Sequence, residues 1–198
     1  MKIDKNYKGL VKEDNRYVFN GNIMTTENLE IDLDMSLYVT GSIKVADYII
    51  AGEDIEAGEF IKAGEFIKAG ESIKAGGSIK AGESIKAGGS IKAGGSIKAG
   101  GSIEAGESIK AGGYYGIVAG LSITCKDTLS FGLKVFAGIC AWRDIADEEK
   151  TITCGKLEGG TVEYGILKET GLEEGEDDDK TEEAMKLLKE KGYKIIKE

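Results

Sequence analysis

One six-residue phrase, close to Ile-Lys-Ala-Gly-(Gly/Glu)-Ser, is restated without a gap from about Ile43 to Gly112. Its aliphatic position recurs every six residues, from Ile43 through Ile73 to Ile109, and the register never slips. A helix needs apolar residues three and four apart, and a long strand needs strict alternation, so a period of six suits neither. Short strands broken by regular corners do suit it. Within Ile73-Lys74-Ala75-Gly76 the side chains alternate, which sends Ile and Ala to one side and Lys to the other.

The first glycine of each unit returns in every hexad from Gly52 to Gly112, whereas the next position accepts Glu as readily as Gly. This predicts a corner residue held at positive φ, which glycine occupies without a Cβ penalty. Each hexad is then one strand plus one bend, and a chain of such units is a solenoid. Three hexads per turn predict a triangular coil of about 18 residues, with coils about 4.8 Å apart. Ile55, Ile73, Ile91 and Ile109 then form one interior ladder, and Tyr48 stacks on Phe66 at a corner. The expected fold class is therefore all-β: a triangular hexapeptide-repeat β-solenoid with a small C-terminal helix-strand appendage.

Five stretches follow along the chain. Residues 1–28 are mixed and polar and read as an N-terminal cap. Residues 29–141 form the solenoid, with Ile31, Leu37 and Ile43 already six apart. Residues 142–168 read as a C-terminal β cap, in which Val162, Tyr164 and Ile166 alternate. Residues 169–180 make an acidic linker, because the run from 169 to 183 carries nine acids against one Lys. Residues 181–198 read as a helix-strand tail, with Thr181 as N-cap, Ala184, Leu187 and Leu188 on one face, and Gly192 as the stop.

The repeat is disturbed once, at Gly113-Tyr114-Tyr115-Gly116, where the next aliphatic residue, Ile117, falls eight after Ile109 instead of six. Such an insertion is either a bulge that adjusts the coil or a binding loop. Trp142 and Arg143 are the other candidates, since these residue types dominate interfaces; a Trp covering the end of the core is the alternative. The row Lys74, Lys92, Lys110 is either a local basic stripe or a set of solvated lysines that keep the strands soluble.

Chemistry is more restricted. The chain has no histidine, which removes His-based triads and His metal sites. It has no phosphate-binding glycine loop and no calcium-binding repeat. Glu53 and Glu71 would stack, but they lie among lysines on a repetitive wall. No catalytic, cofactor-binding or metal residue is expected, and no cofactor. Cys125 and Cys154 each take the Ala slot of an Ile-Thr-Cys triplet, and with Cys140 they make an odd number without a CxxC, so buried free thiols are expected. The formal charge is −9. Direct binding of nucleic acid or membrane is not expected from so acidic a chain. No stretch has signal-peptide or membrane-span character, so a cytoplasmic location is the default.

The hexads share their period with the hexapeptide-repeat acyltransferases, but here the small inward residue follows the aliphatic one, and the histidine those enzymes use is absent. Residues 29–141 resemble the bactofilin, or polymer-forming cytoskeletal, family more closely: a compact solenoid of glycine-punctuated short strands. The resemblance implies right-handed triangular coils and end-to-end assembly into filaments. The expected function is thus a non-enzymatic structural solenoid that self-associates or acts as a scaffold, and a homo-oligomer. The alternative is a discrete binding or inhibitor rod, of the kind phage or mobile elements encode, whose spaced charges imitate nucleic acid to block a host protein.

Overall fold

The computed structural model describes residues 1–171; the appendage expected at 181–198 and most of the acidic linker lie outside the described residues. The described chain is a β-solenoid with three faces. The first face stacks Lys2–Asp4, Leu29–Asp32, Ile49–Ala51, Ile67–Ala69, Ile85–Ala87, Ile103–Ala105, Ile123–Cys125, Thr151–Cys154 and Ile166–Glu169 as one 9-stranded sheet. The second runs from Arg16–Phe19 through Ile55–Ala57, Ile73–Ala75 and Ile91–Ala93 to Ile109–Lys110, and the third from Ile23–Thr25 through Ile61–Ala63 and Ile79–Ala81 to Ile117–Ala119. Thr128–Ala137 runs unbroken around the corner between these two faces, and Lys156–Tyr164 lies along it, so both faces merge into a 15-stranded sheet.

The ladder is parallel, and through the repeat each residue pairs with the one 18 positions on: Ile55 with Ile73, and Ile73 with Ile91. Three hexads per coil follow directly. Every hexad isoleucine from Ile43 to Ile109 is fully buried, and the Ala slots are nearly so. Burying one such Ile contributes about 1.5–3 kcal/mol. The sum offsets the backbone entropy of a glycine-rich chain because the ladders are continuous. The Tyr48 and Phe66 rings stack at a corner, with centroids 4.9 Å apart and planes 1° from parallel.

The corner glycines are needed for a different reason from the one their spacing suggests. Among the described residues, positive φ occurs only at Gly9, Gly21, Gly138, Gly159, Gly160 and Gly165, none of them in the repeat. What the repeat glycines lack is room. A Cβ on Gly64 would stand 1.7 Å from the Ala46 carbonyl oxygen in the coil below. The adjoining serines close the remaining corner bonds, as where the Ser96 amide donates to Ser78 Oγ at 3.0 Å. Among the described residues no buried side-chain polar atom is left without a partner.

The Tyr114-Tyr115 insertion is absorbed in a single coil. Ile97 pairs with Ile117 and Ile109 with Leu129, two residues beyond the usual offset, and Ile117 then pairs with Val135 at 18 again. A second two-residue insertion, hidden in the sequence, lies near Asp34. Leu29 pairs with Ile49, which puts Ile31 opposite Ala51 in the small slot instead of in phase with Leu37. Cys125 and Cys154 are buried free thiols. Cys125 faces Ala105 in the ladder, and burial pushes its thiol up to about 12.

Candidate interaction surfaces

The two ends of the rod differ. At the N-terminal end, a short hairpin pairs Leu10–Lys12 antiparallel with Arg16–Phe19, and Met1, Tyr7, Leu10 and Phe19 pack over the core. The last inward side chains there, Ile3, Tyr17 and Ile23, are 0%, 4% and 2% exposed. Antiparallel pairing also breaks the parallel template, and the Tyr17 hydroxyl is fixed by donating to Asp34 Oδ1 at 3.2 Å. That end is sealed.

At the other end, Leu157 lies over Leu129, Val162 over Val135, and Leu167 over Ile152. The three residues below are fully buried. Leu157 and Val162 are only half-buried and Leu167 is 36% exposed, because no described residue lies above them. The expected alternation of Val162, Tyr164 and Ile166 is interrupted twice, by a register shift at Glu163 that pairs Val162 with Val135 but Tyr164 with Phe136, and by Gly165, at φ 119°, where the chain turns from the third face to the first. Ile166 and Tyr164 therefore face outward.

Next to this end, a shallow cleft of about 450 Å³ is lined by Phe136, Ile139, Cys140, Glu163 and Tyr164. Trp142 stands in the adjoining segment with 67% of its surface exposed, so it does not cover the core. Arg143 is held by Glu149, its Nη1 donating to Oε2 at 2.9 Å. That contact and the Ala146 amide pull the Glu149 carboxyl down to about 2.

The remaining sequence candidates come together elsewhere. Lys74, Lys92 and Lys110 form one outward file on the second face. Tyr114 and Tyr115 lie on the corner beside it, both exposed, Tyr114 at 91%. Trp142 and Arg143 are not part of that cluster. Sequence reasoning missed two surfaces. One is the trio Leu157, Val162 and Leu167, uncovered by the described residues, whose signal was the recurrence of apolar residues along 157–167. The other is the third-face file Lys44, Lys62, Lys80 and Lys98, visible in the sequence as every third hexad.

Among the described residues no group of three or more His, Cys, Asp or Glu side chains is placed to hold a metal ion. No described helix is long and apolar enough to cross a membrane. In comparisons with known proteins, no family model, no curated protein and no solved structure matches the chain.

Proposed function

We propose that this protein is a non-enzymatic structural β-solenoid that associates with a second copy of itself through its C-terminal end. The observation that carries the proposal is the contrast between the ends: Ile3, Tyr17 and Ile23 are sealed, whereas Leu157, Val162 and Leu167 are not. Among the described residues Lys156–Tyr164 and Ile166–Glu169 are terminal strands, as Lys2–Asp4 and Ile23–Thr25 are at the other end, and such edges template pairing with another chain; the uncovered apolar side chains are what set the C-terminal end apart. A second solenoid end has the matching triangular section.

One sealed end limits growth. A filament needs a partner at both ends, whereas a single self-complementary end closes after one two-fold contact. The arrangement of charges supports antiparallel edges. Lys156 and Glu158 flank Leu157, and Glu163 flanks Val162, so a two-fold contact that sets Leu157 against Val162 of the other copy also brings unlike charges together. Kinship with the bactofilin-type solenoids, with right-handed winding, is part of this proposal and rests on the three glycine-cornered faces. The alternative of a rod imitating nucleic acid draws no support from the ladders, because all three faces carry stacked lysines.

The test is substitution at the open end. Val162→Lys with Leu167→Lys keeps the lower coils intact and makes the protein a monomer by sedimentation at concentrations where the unaltered chain is paired. An unaltered chain that is monomeric throughout, or a doubly substituted chain that still pairs, contradicts the proposal.

A further inference from the structure

The corner joining the second and third faces differs from the other two. Across the first and third faces the corner carries Asp47, Glu65 and Glu83, and across the first and second it carries Glu53, Asp54, Glu71 and Glu107. The corner between the second and third faces has Gly77-Ser78 and Gly95-Ser96 at the same positions, and Glu59 below them. Gly89 and Gly101 interrupt the two acidic corners, so the corners differ in how many acids they carry: Glu59 alone on this one, three or more on each of the others.

Lysine files flank this acid-poor ridge on both sides, Lys74, Lys92 and Lys110 on one and Lys44, Lys62, Lys80 and Lys98 on the other. None of the seven has an ion-pair partner among the described residues. Stacked like charges on neighbouring strands are destabilising. On the first face, where Lys68 also stacks on Lys86, Glu104 pairs with Lys86, with Nζ and Oε2 2.6 Å apart; on the ridge Glu56 stands next to Lys74 without forming an ion pair. Exposed aromatic rings bound the glycine stretch. Phe60 lies over Gly77 at one limit, and Tyr114 and Tyr115 stand at the other, three coils or about 14 Å away.

The geometry points to a binding site for single-stranded nucleic acid along this ridge, with lysines on both flanks meeting phosphates and with Phe60, Tyr114 and Tyr115 receiving bases. Cationic side chains combined with exposed rings are the two components of sequence-tolerant single-strand binding. A duplex offers no unstacked bases to the rings, and an acidic peptide offers no π faces. A flat anionic membrane laid on either lysine face would also meet an acidic corner, whereas a strand following the ridge meets only Glu59 on the corner itself, with Glu56 and Glu158 at the two limits of the second-face lysine file. The net charge of −9 is no obstacle near 0.1 M salt, where the Debye length is about 10 Å and the acids across the rod are screened.

The experiment is fluorescence anisotropy of a labelled twelve-nucleotide oligo-dT with the full chain, in a salt series starting near 0.1 M. Binding is expected, with a log–log salt slope of about −2 to −3, corresponding to three or four phosphates neutralised. The exposed substitutions Lys80→Gln, Lys92→Gln and Lys98→Gln together weaken it about tenfold and flatten the slope, and Tyr114→Ala with Tyr115→Ala weakens it about tenfold with the slope kept. Lys68→Gln with Lys86→Gln on the first face leaves it unchanged. Absence of binding, equal loss from the first-face pair, or tighter binding to duplex DNA, poly-glutamate or anionic phosphatidylserine vesicles would overturn the assignment.

Discussion

Gly82 lies directly over Gly64, so close that a Cβ on Gly82 would stand 1.8 Å from the Gly64 carbonyl oxygen. Gly52 fills the same place in its hexad, yet a Cβ there would meet nothing within 4 Å. The two glycines are indistinguishable in the repeat. Gly82→Ala is therefore expected to destabilise the protein by about 1–3 kcal/mol through overpacking. Gly52→Ala is expected to be neutral, or stabilising by up to about 1 kcal/mol, through a less flexible unfolded chain. Denaturant midpoints of the two variants check this, and equal loss from both would contradict the steric account.

The isoleucine ladder makes its own prediction. Ile85 is fully buried between Ile67 and Ile103, so Ile85→Ala leaves a cavity that a stacked coil cannot close. A loss of about 2–5 kcal/mol is expected, against about 0.5–1.5 kcal/mol for Ile85→Val. Chemical denaturation reads both; a loss below 1 kcal/mol for the alanine would indicate a loose core.

Thiol chemistry separates the cysteines. Cys125 and Cys154 are buried and Cys140 is half-exposed. Burial holds the Cys125 thiol well above its ordinary value of 9.0, at about 12, and raises Cys154 as well. At pH 8 a thiol reagent should label one cysteine per native chain and all three after unfolding. Because burial raises the folded value of Cys125, its contribution to stability is complete below pH 9 and fades as pH rises towards 12. Two or more fast-reacting thiols in the native chain would contradict the burial.

The Arg143–Glu149 pair has the opposite sign. Its hydrogen bonds lower the Glu149 carboxyl from 4.5 to about 2, so the pair is intact above pH 4.5 and is lost as pH falls through about 2. Carboxyl-carbon NMR titration should place Glu149 below the other glutamates, and Arg143→Gln should bring it back toward 4.5. An unshifted Glu149 in the unaltered chain would remove the contact.

The coil, its three sides and the Tyr48–Phe66 stack were legible in the sequence because each hexad repeats one local decision and an 18-residue offset multiplies it. Features that depend on which coil lies above or below were less so. The cause of the glycine requirement lay in the neighbouring coil, at Ala46 and Gly64, and not in the φ of the residue itself. Ile31 was in the wrong phase because a corner near Asp34 holds two extra residues without any glycine to mark it. The candidate surfaces followed the same division. Lys74, Lys92 and Lys110 could be placed in one file by arithmetic, but the scarcity of acids along one corner, where Glu59 stands alone, appears only when all three corners are compared. Trp142 looked equally suited to covering the core or standing free, and only its neighbours decide between these.

The most direct measurement of the central claim is the solution mass of the full chain over a wide concentration series, by light scattering. A reversible passage from one copy to two, ending there, is predicted, since Leu157, Val162 and Leu167 are uncovered by the described chain while Ile3, Tyr17 and Ile23 are sealed. Growth beyond two copies, or a single copy at every concentration, would contradict it.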